Sequence, residues 1–347
     1  MPSYPKAKVV KKMPLVRYNL TEGKRNMEEL VYYYPQGHEK HFQGGHPERP
    51  ERVETIVQAL QDNNLWDRYP KVAPKDISTE EISAIHSINY LKELETACRY
   101  GDSLDMDTYT TPFSWELAIR TAGGATAVAE AVWMRQAKRG FALTRPPGHH
   151  ATSRRGMGFC LINNIAFAAQ WLVQNFSVRR IAILDFDLHH GNGTQEIFWE
   201  RSDVFFMSTH QSPLYPGSGY LDEIGRGDGK GFTANFPLPP GSGDQAFSTL
   251  TQEIILPLLD RYQPQILLIS YGFDPHWRDP LGHLQLSARQ YGEIIRLLTD
   301  WSEAHCEGRI ALFLEGGYDL DSAQACSLAV VNALLGRPFD DPIGPSP

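Results

Sequence analysis

Asp187, His189 and Asp274 carry the strongest chemical signature in the chain. In Asp187-Leu188-His189 a carboxylate and an imidazole stand two positions apart, after an apolar run. At a strand end, residues i and i+2 point to one side, so both can reach one cation. Asp274 closes another apolar run and offers a third donor. Two carboxylates and one imidazole neutralise a divalent ion and leave a fourth position open, as catalytic zinc requires. The plain alternative is a hydrogen-bonded Asp–His pair.

The second feature is His149-His150, which follows Arg145-Pro146-Pro147-Gly148. Adjacent histidines on a tight loop are poorly placed for core packing. They suit a general acid/base pair beside acidified water. Each needs a partner on its far nitrogen, and Asp185 and Asn192 flank the metal motif. An Asp raises imidazole basicity, whereas an Asn orients without charge, so the two histidines should differ in pKa. Tyr318 follows Gly316-Gly317. Its phenol could stabilise an oxyanion, or it could simply pack.

These residues need strand ends to hold them. Continuous apolar runs predict strands at 141–144, 181–187, 204–209, 266–271 and 310–315, and a short one near 30–34. Helical spacing marks 47–63, 79–84, 89–100 and 114–136 before this region. It marks 164–175, 194–199, 244–261, 287–305 and 322–335 within it. Alternating apolar strands and helices predict an α/β fold, a mostly parallel sheet with helices on both faces. In such sheets ligands sit at the carboxyl ends of the strands. His149, His150, His189, His190, His210 and His276 all lie on or beside those ends, half of the chain's 12 histidines.

Length would allow two domains, at roughly 150 residues each. No linker or composition break separates halves, so one catalytic domain over 1–347 is expected, with an N-terminal arm at about 1–30. The arm carries Lys6, Lys8, Lys11 and Lys12 and reads as a surface arm or a homo-oligomer contact. The net charge of −8 argues against nucleic-acid binding. An acidic surface favours basic, lysine-rich or polyamine substrates. Four scattered cysteines fit a reducing compartment. With no secretory signal or membrane span in view, a cytoplasmic protein is expected.

Together these stretches resemble the histone deacetylase and acetylpolyamine amidohydrolase superfamily, whose fold is related to arginase. The matching pieces are HPERPERV (46–53), RPPGHHA (145–151), GFCLINN (158–164), DFDLHHGNGTQ (185–195), YPGSG (215–219), SYGFDPH (270–276) and LEGGY (314–318). They keep the family's order over nearly the whole chain. The resemblance implies a zinc-dependent hydrolase removing acetyl groups from lysine side chains or small amines. It assigns zinc to Asp187, His189 and Asp274, and acid/base work to His149 and His150, backed by Asp185 and Asn192. It assigns carbonyl polarisation to Tyr318. Gly158 and Phe159 would line a narrow tunnel, with Tyr215 where Phe is usual. Asp107, Leu281 and Gly317 would complete the substrate path. Ser208 with Asp185, Asp187 and His189 would match a structural potassium site. Asn192 and LEGGY resemble the class II branch. A Leu at 281, where polyamine deacetylases have a nearby Glu, favours acyl-lysine.

Ferrous iron would also suit the mixed donor set. A dimanganese ureohydrolase is a rival, but it needs a carboxylate at 191, where Gly191 stands. A non-catalytic acetyl-binding module is another, against which the full set of acid/base residues speaks.

Overall fold

The computed structural model describes residues 27–347. The expected arm lies outside the described residues, except for its last few. Seven strands form one all-parallel sheet. They are β1 (Glu28–Tyr33), β2 (Ala137–Ala142), β3 (Ile181–Asp185), β4 (Val204–Gln211), β5 (Thr233–Leu238), β6 (Ile266–Tyr271) and β7 (Ile310–Leu314). Their spatial order is β1-β2-β7-β6-β3-β4-β5. Side chains alternate between the two faces. Ala182 and Leu184 of β3 join one apolar core, and Ile181 and Ile183 join the other. Both faces are covered, so the central strands are apolar throughout.

Helices α1 (Glu51–Asp62), α9 (Ala288–His305) and α10 (Leu320–Leu334) cover the first face. Helices α3 (Ile88–Tyr100), α4 (Ser114–Trp133) and α5 (Asn164–Phe176) cover the second. The short helices are α2 (Thr79–Ile82), α6 (Asn192–Phe198), α7 (Asp244–Leu250) and α8 (Leu256–Tyr262). The sheet binds all of this into a single domain.

Several boundaries differ from the sequence reading. β2 lies earlier than 141–144, because its pairing with β7 runs from Arg139 to Ala142. Lys138 and Arg139 at its start break the apolar run there. β3 stops at Asp185, so Asp187 and His189 sit on a loop and not on a strand. α1 begins at Glu51, with Pro50 as its cap. The helix expected at 244–261 is interrupted by a π-turn at Thr251–Ile255. β5 was absent from the sequence reading. It pairs only with β4 and contains Pro237, which an edge strand tolerates. Among the described residues no helix is long and apolar enough to cross a membrane.

Candidate metal centre and active site

The carboxyl ends of β2, β3, β6 and β7 converge on one cavity of about 240 Å³. Asp107, Pro147, His149, His150, Gly158, Phe159, His189, Leu214, Tyr215, Leu281, Gly316 and Tyr318 line it. Tyr215 is 40% exposed and His150 only 3%, so Tyr215 stands at the mouth and His150 deep within.

Asp187, His189 and Asp274 meet there, with one donor atom of each lying within 4.8 Å of the others. The His189 Nδ1 is 3.2 Å from Asp187 Oδ1 and 3.3 Å from Asp274 Oδ2. Backbone amides hold the carboxylates in place. Gly316 N donates to Asp187 Oδ2 at 2.8 Å, and Leu188 N donates to Asp274 Oδ1 at 3.1 Å. The remaining oxygen, Asp274 Oδ2, is buried with no hydrogen-bond partner. A buried carboxylate oxygen left so is costly unless a cation meets it. Burial and the nearby Asp187 push the Asp274 carboxyl up to about 7. The donor set of two oxygens and one nitrogen fits a divalent cation.

Position 191 offers no further ligand. A Cβ at Gly191 would lie 2.0 Å from Asp185 Oδ2, so no carboxylate fits at 191. A second cluster, His149, Cys160 and Glu315, is also compact. Its carboxylate is already engaged, because Glu315 accepts from Gly148 N, His149 N and Ser270 Oγ.

The two histidine rings lie 4.0 Å apart between centroids, tilted 40° to each other. His149 Nδ1 lies 3.0 Å from Asp185 Oδ2, and His150 Nδ1 lies 2.8 Å from Asn192 Oδ1. Burial works against charge on both. For His149 the carboxylates of Asp185, Asp187 and Glu315 override it, and its pKa rises well above the usual imidazole range. For His150, burial is joined by the adjacent His149 and His189, and its pKa falls well below. The two shifts therefore run in opposite directions, as their different partners led one to expect. Asn192 Oδ1 can only accept, so His150 carries its proton on Nδ1 and offers a lone pair at Nε2.

Tyr318 faces Phe159 edge-on at 5.8 Å. Burial holds its phenol protonated, far above the usual range. Asp279 Oδ2 accepts from Tyr318 N at 2.6 Å and fixes that backbone. Gly158 has φ +55°, and a Cβ there would meet His150 at 2.5 Å and Tyr215 at 3.1 Å. Only glycine leaves this gap open. Asp107 and Leu281 also reach the cavity. His46 Nε2 bonds Asp107 O at 2.9 Å, so His46 shapes the rim and stands apart from the metal ligands. Ser208 is the register partner of Asp185 across β3 and β4.

Gly317 departs from expectation, because it does not line the cavity. It packs under Phe273, and its carbonyl accepts from Arg52 Nε at 2.6 Å. Gly316 takes the lining position.

Sequence reasoning missed a buried ion network behind Tyr318. Arg145 Nε meets Glu48 Oε1 at 2.7 Å, and Arg52 Nη1 meets the same oxygen at 3.1 Å. The Arg52 guanidinium lies 4.8 Å from the Tyr318 ring centroid. The i, i+4 pair Glu48 and Arg52 in HPERPERV was the available signal. Pro147, Leu214 and Asp279 had none of their own.

The chain matches the sequence family described as "Histone deacetylase domain" over residues 46–334. It is 42% identical over 294 residues to "Probable deacetylase" of Archaeoglobus fulgidus, covering 84% of this chain and 82% of that protein. It is 38% identical over 325 residues to "Histone deacetylase 14, chloroplastic" of Arabidopsis thaliana, covering 87% and 77%. Among solved structures, "Crystal Structure of HDA15 HD domain" superposes with a TM-score of 0.85 at 33% identity. It covers 92% of this chain and 91% of that one.

Proposed function

The chain belongs to the histone deacetylase domain family and is a deacetylase-type amide hydrolase, and from that premise we propose how its residues divide the work. The observation that carries the reading is the convergence of Asp187, His189 and Asp274 at the buried end of the cavity, with Asp274 Oδ2 unpartnered. Zn2+ held by these three would polarise an acyl carbonyl and acidify water.

The protein's own groups do the rest. The apolar walls Phe159, Leu214 and Leu281 sheathe an acyl-amine stem, and Gly158 lets it pass beside Tyr215. Tyr318 donates its hydroxyl proton in a hydrogen bond to the acyl oxygen as negative charge develops there. His150 Nε2 takes a proton from the attacking water and returns it to the leaving amine. Asn192 keeps that imidazole in the needed tautomer. His149, held by Asp185, keeps its proton and supplies positive charge beside the developing oxyanion.

The substrate class we favour is acetyl-lysine in peptides or proteins, because Leu281 puts an apolar group where a second amine would need a carboxylate. Ser208, beside Asp185 in the sheet, supports a structural potassium site shared with Asp185, Asp187 and His189. Four buried, unpaired cysteines fit a reducing compartment such as the cytoplasm. The test is a release assay with acetyl-lysine peptide, acetylpolyamine and longer acyl-lysines, with elemental analysis on the same protein. Acetate release from the peptide and one divalent metal per chain are expected. Preference for the polyamine overturns the substrate class, and two metals per chain overturns the site.

A further inference from the structure

His190 and His210 end strand-adjacent segments at the site, yet neither lines the cavity. Both are buried, their rings 4.8 Å apart. His210 Nδ1 meets Ser208 Oγ within β4 at 2.9 Å, and the other hydrogen bonds of the pair lead, directly or through Gln195, to the loop that carries Tyr215. His210 Nε2 meets the carbonyl oxygen of Gly219 at 3.0 Å. A carbonyl only accepts, so that nitrogen donates. His190 Nε2 meets Gln195 Oε1 at 3.0 Å, and His190 Nδ1 meets Ser218 Oγ at 2.8 Å. Gln195 Oε1 also accepts from Asn235 Nδ2, so His190 donates to it and accepts from the Ser218 hydroxyl. Glu223 Oε2 closes the cycle, accepting from Gly219 N at 3.0 Å and Gln195 Nε2 at 2.6 Å.

Gly219 fits this cradle only as glycine. Its φ is +85°, and a Cβ would meet His210 at 2.5 Å and His190 at 2.7 Å. Tyr215, three residues before Ser218, stands edge-on to His150 at 5.2 Å and to His189 at 6.1 Å. The latch therefore grips the wall loop from the residue next to a metal ligand.

We propose that His190 and His210, acting through Ser218, Gly219 and Glu223, are positioning residues that clamp the 214–223 loop and so set the width of the substrate path at Tyr215. This rests on the reading of the cavity as the acyl-amine site. The hydrogen bonds of His190 and His210 reach none of the side chains of His149, His150, Tyr318, Asp187, His189 and Asp274, so releasing Ser218 and Glu223 weakens substrate binding and leaves the chemical step intact.

The experiment uses the metal-loaded, full chain and the double variant Ser218→Ala/Glu223→Ala, with Ser218→Thr as the conservative control. KM for acetyl-lysine peptide is expected to rise about tenfold in the double variant, with kcat within about twofold. Ser218→Thr keeps the hydroxyl and should restore KM to within about twofold of the parent. Hydrogen exchange at the 214–223 amides, Gly219 above all, is expected to accelerate in the double variant and not in Ser218→Thr. An unmoved KM with unchanged exchange overturns the proposal. So does an equal fall in kcat and metal content, which marks a merely structural role. If the parent releases no acetate, the functional reading fails, and exchange alone then decides the latch.

Discussion

Two cavities of about 240 Å³ sit at opposite ends of the same sheet. The one at the carboxyl ends holds the candidate active site. The other lies by the amino ends of β1 and β2, lined by Glu29, Lys138, Arg139, Arg296, Asp300 and Glu303 among others. It is the more visibly charged of the two. Its arginines are paired with carboxylates, however, although Arg139 Nε itself has no hydrogen-bond partner. Arg139 pairs with Glu303, and Arg296 Nη1 meets Asp300 at 2.7 Å and its Nη2 meets Glu293 at 2.6 Å. Several of these side chains are half exposed. At the carboxyl end, two buried carboxylates face each other and one oxygen has no partner. Equal volume and greater charge do not make a site. Charge that the chain itself leaves uncompensated, held where water is excluded, does.

Substitutions at the two ends can break this contrast. Asp274→Asn should have the largest effect, removing the bound divalent metal and with it all measurable deacetylation. Elemental analysis and acetate release read both, and a retained metal would refute the ligand assignment. His150→Ala and Tyr318→Phe should each lower kcat by about 10²–10⁴-fold with the fold intact by circular dichroism. Near-parent turnover in both would sink the assigned roles.

Glu48→Gln tests the support behind Tyr318. Glu48 is fully buried between Arg52 and Arg145. Removing one partner of such a network costs about 3–5 kcal/mol, measured by denaturant unfolding. Burial raises the Glu48 pKa, but Arg145 and Arg52 outweigh it and bring the carboxyl down from 4.5 to about 2. The folded pKa is thus below the unfolded one. Its contribution is fully present above about 4.5 and is lost as pH falls toward about 2. The stability gap between parent and Glu48→Gln should shrink across that window, and a constant gap would contradict the ion network. The smallest effect is expected at the other cavity. Glu303→Gln, half exposed opposite Arg139, should cost about 0–1 kcal/mol and leave kcat unchanged. A large loss of activity there would erase the contrast.

Much of this was legible in the chain. The apolar runs that became β3, β4, β6 and β7 are buried on both faces, so their signal is continuous and their following loops could be searched. β2 and β5 were misplaced or missed, because an edge strand and a strand with a charged start carry no such run. Asp187 and His189 were found for a reason that does not apply. They lie on a loop beyond β3, where the amides of Gly316 and His189 hold Asp187, and the carboxylates of Asp187 and Asp274 hold the His189 ring, in place of strand alternation. Gly317 was placed one residue off, since a Gly-Gly pair does not say which residue faces the cavity.

The sequence by itself determined which chemical groups the protein owns and that a parallel sheet would gather them at one end. Residue type and local spacing are enough for that. Only the tertiary structure decided which carboxylate oxygen lacks a partner, in which direction each histidine's pKa is pushed, and which buried pairs stand behind Tyr318. Gly316 binds Asp187 across 129 residues of chain. Desolvation and charge act through space, over distances that the order of residues does not contain.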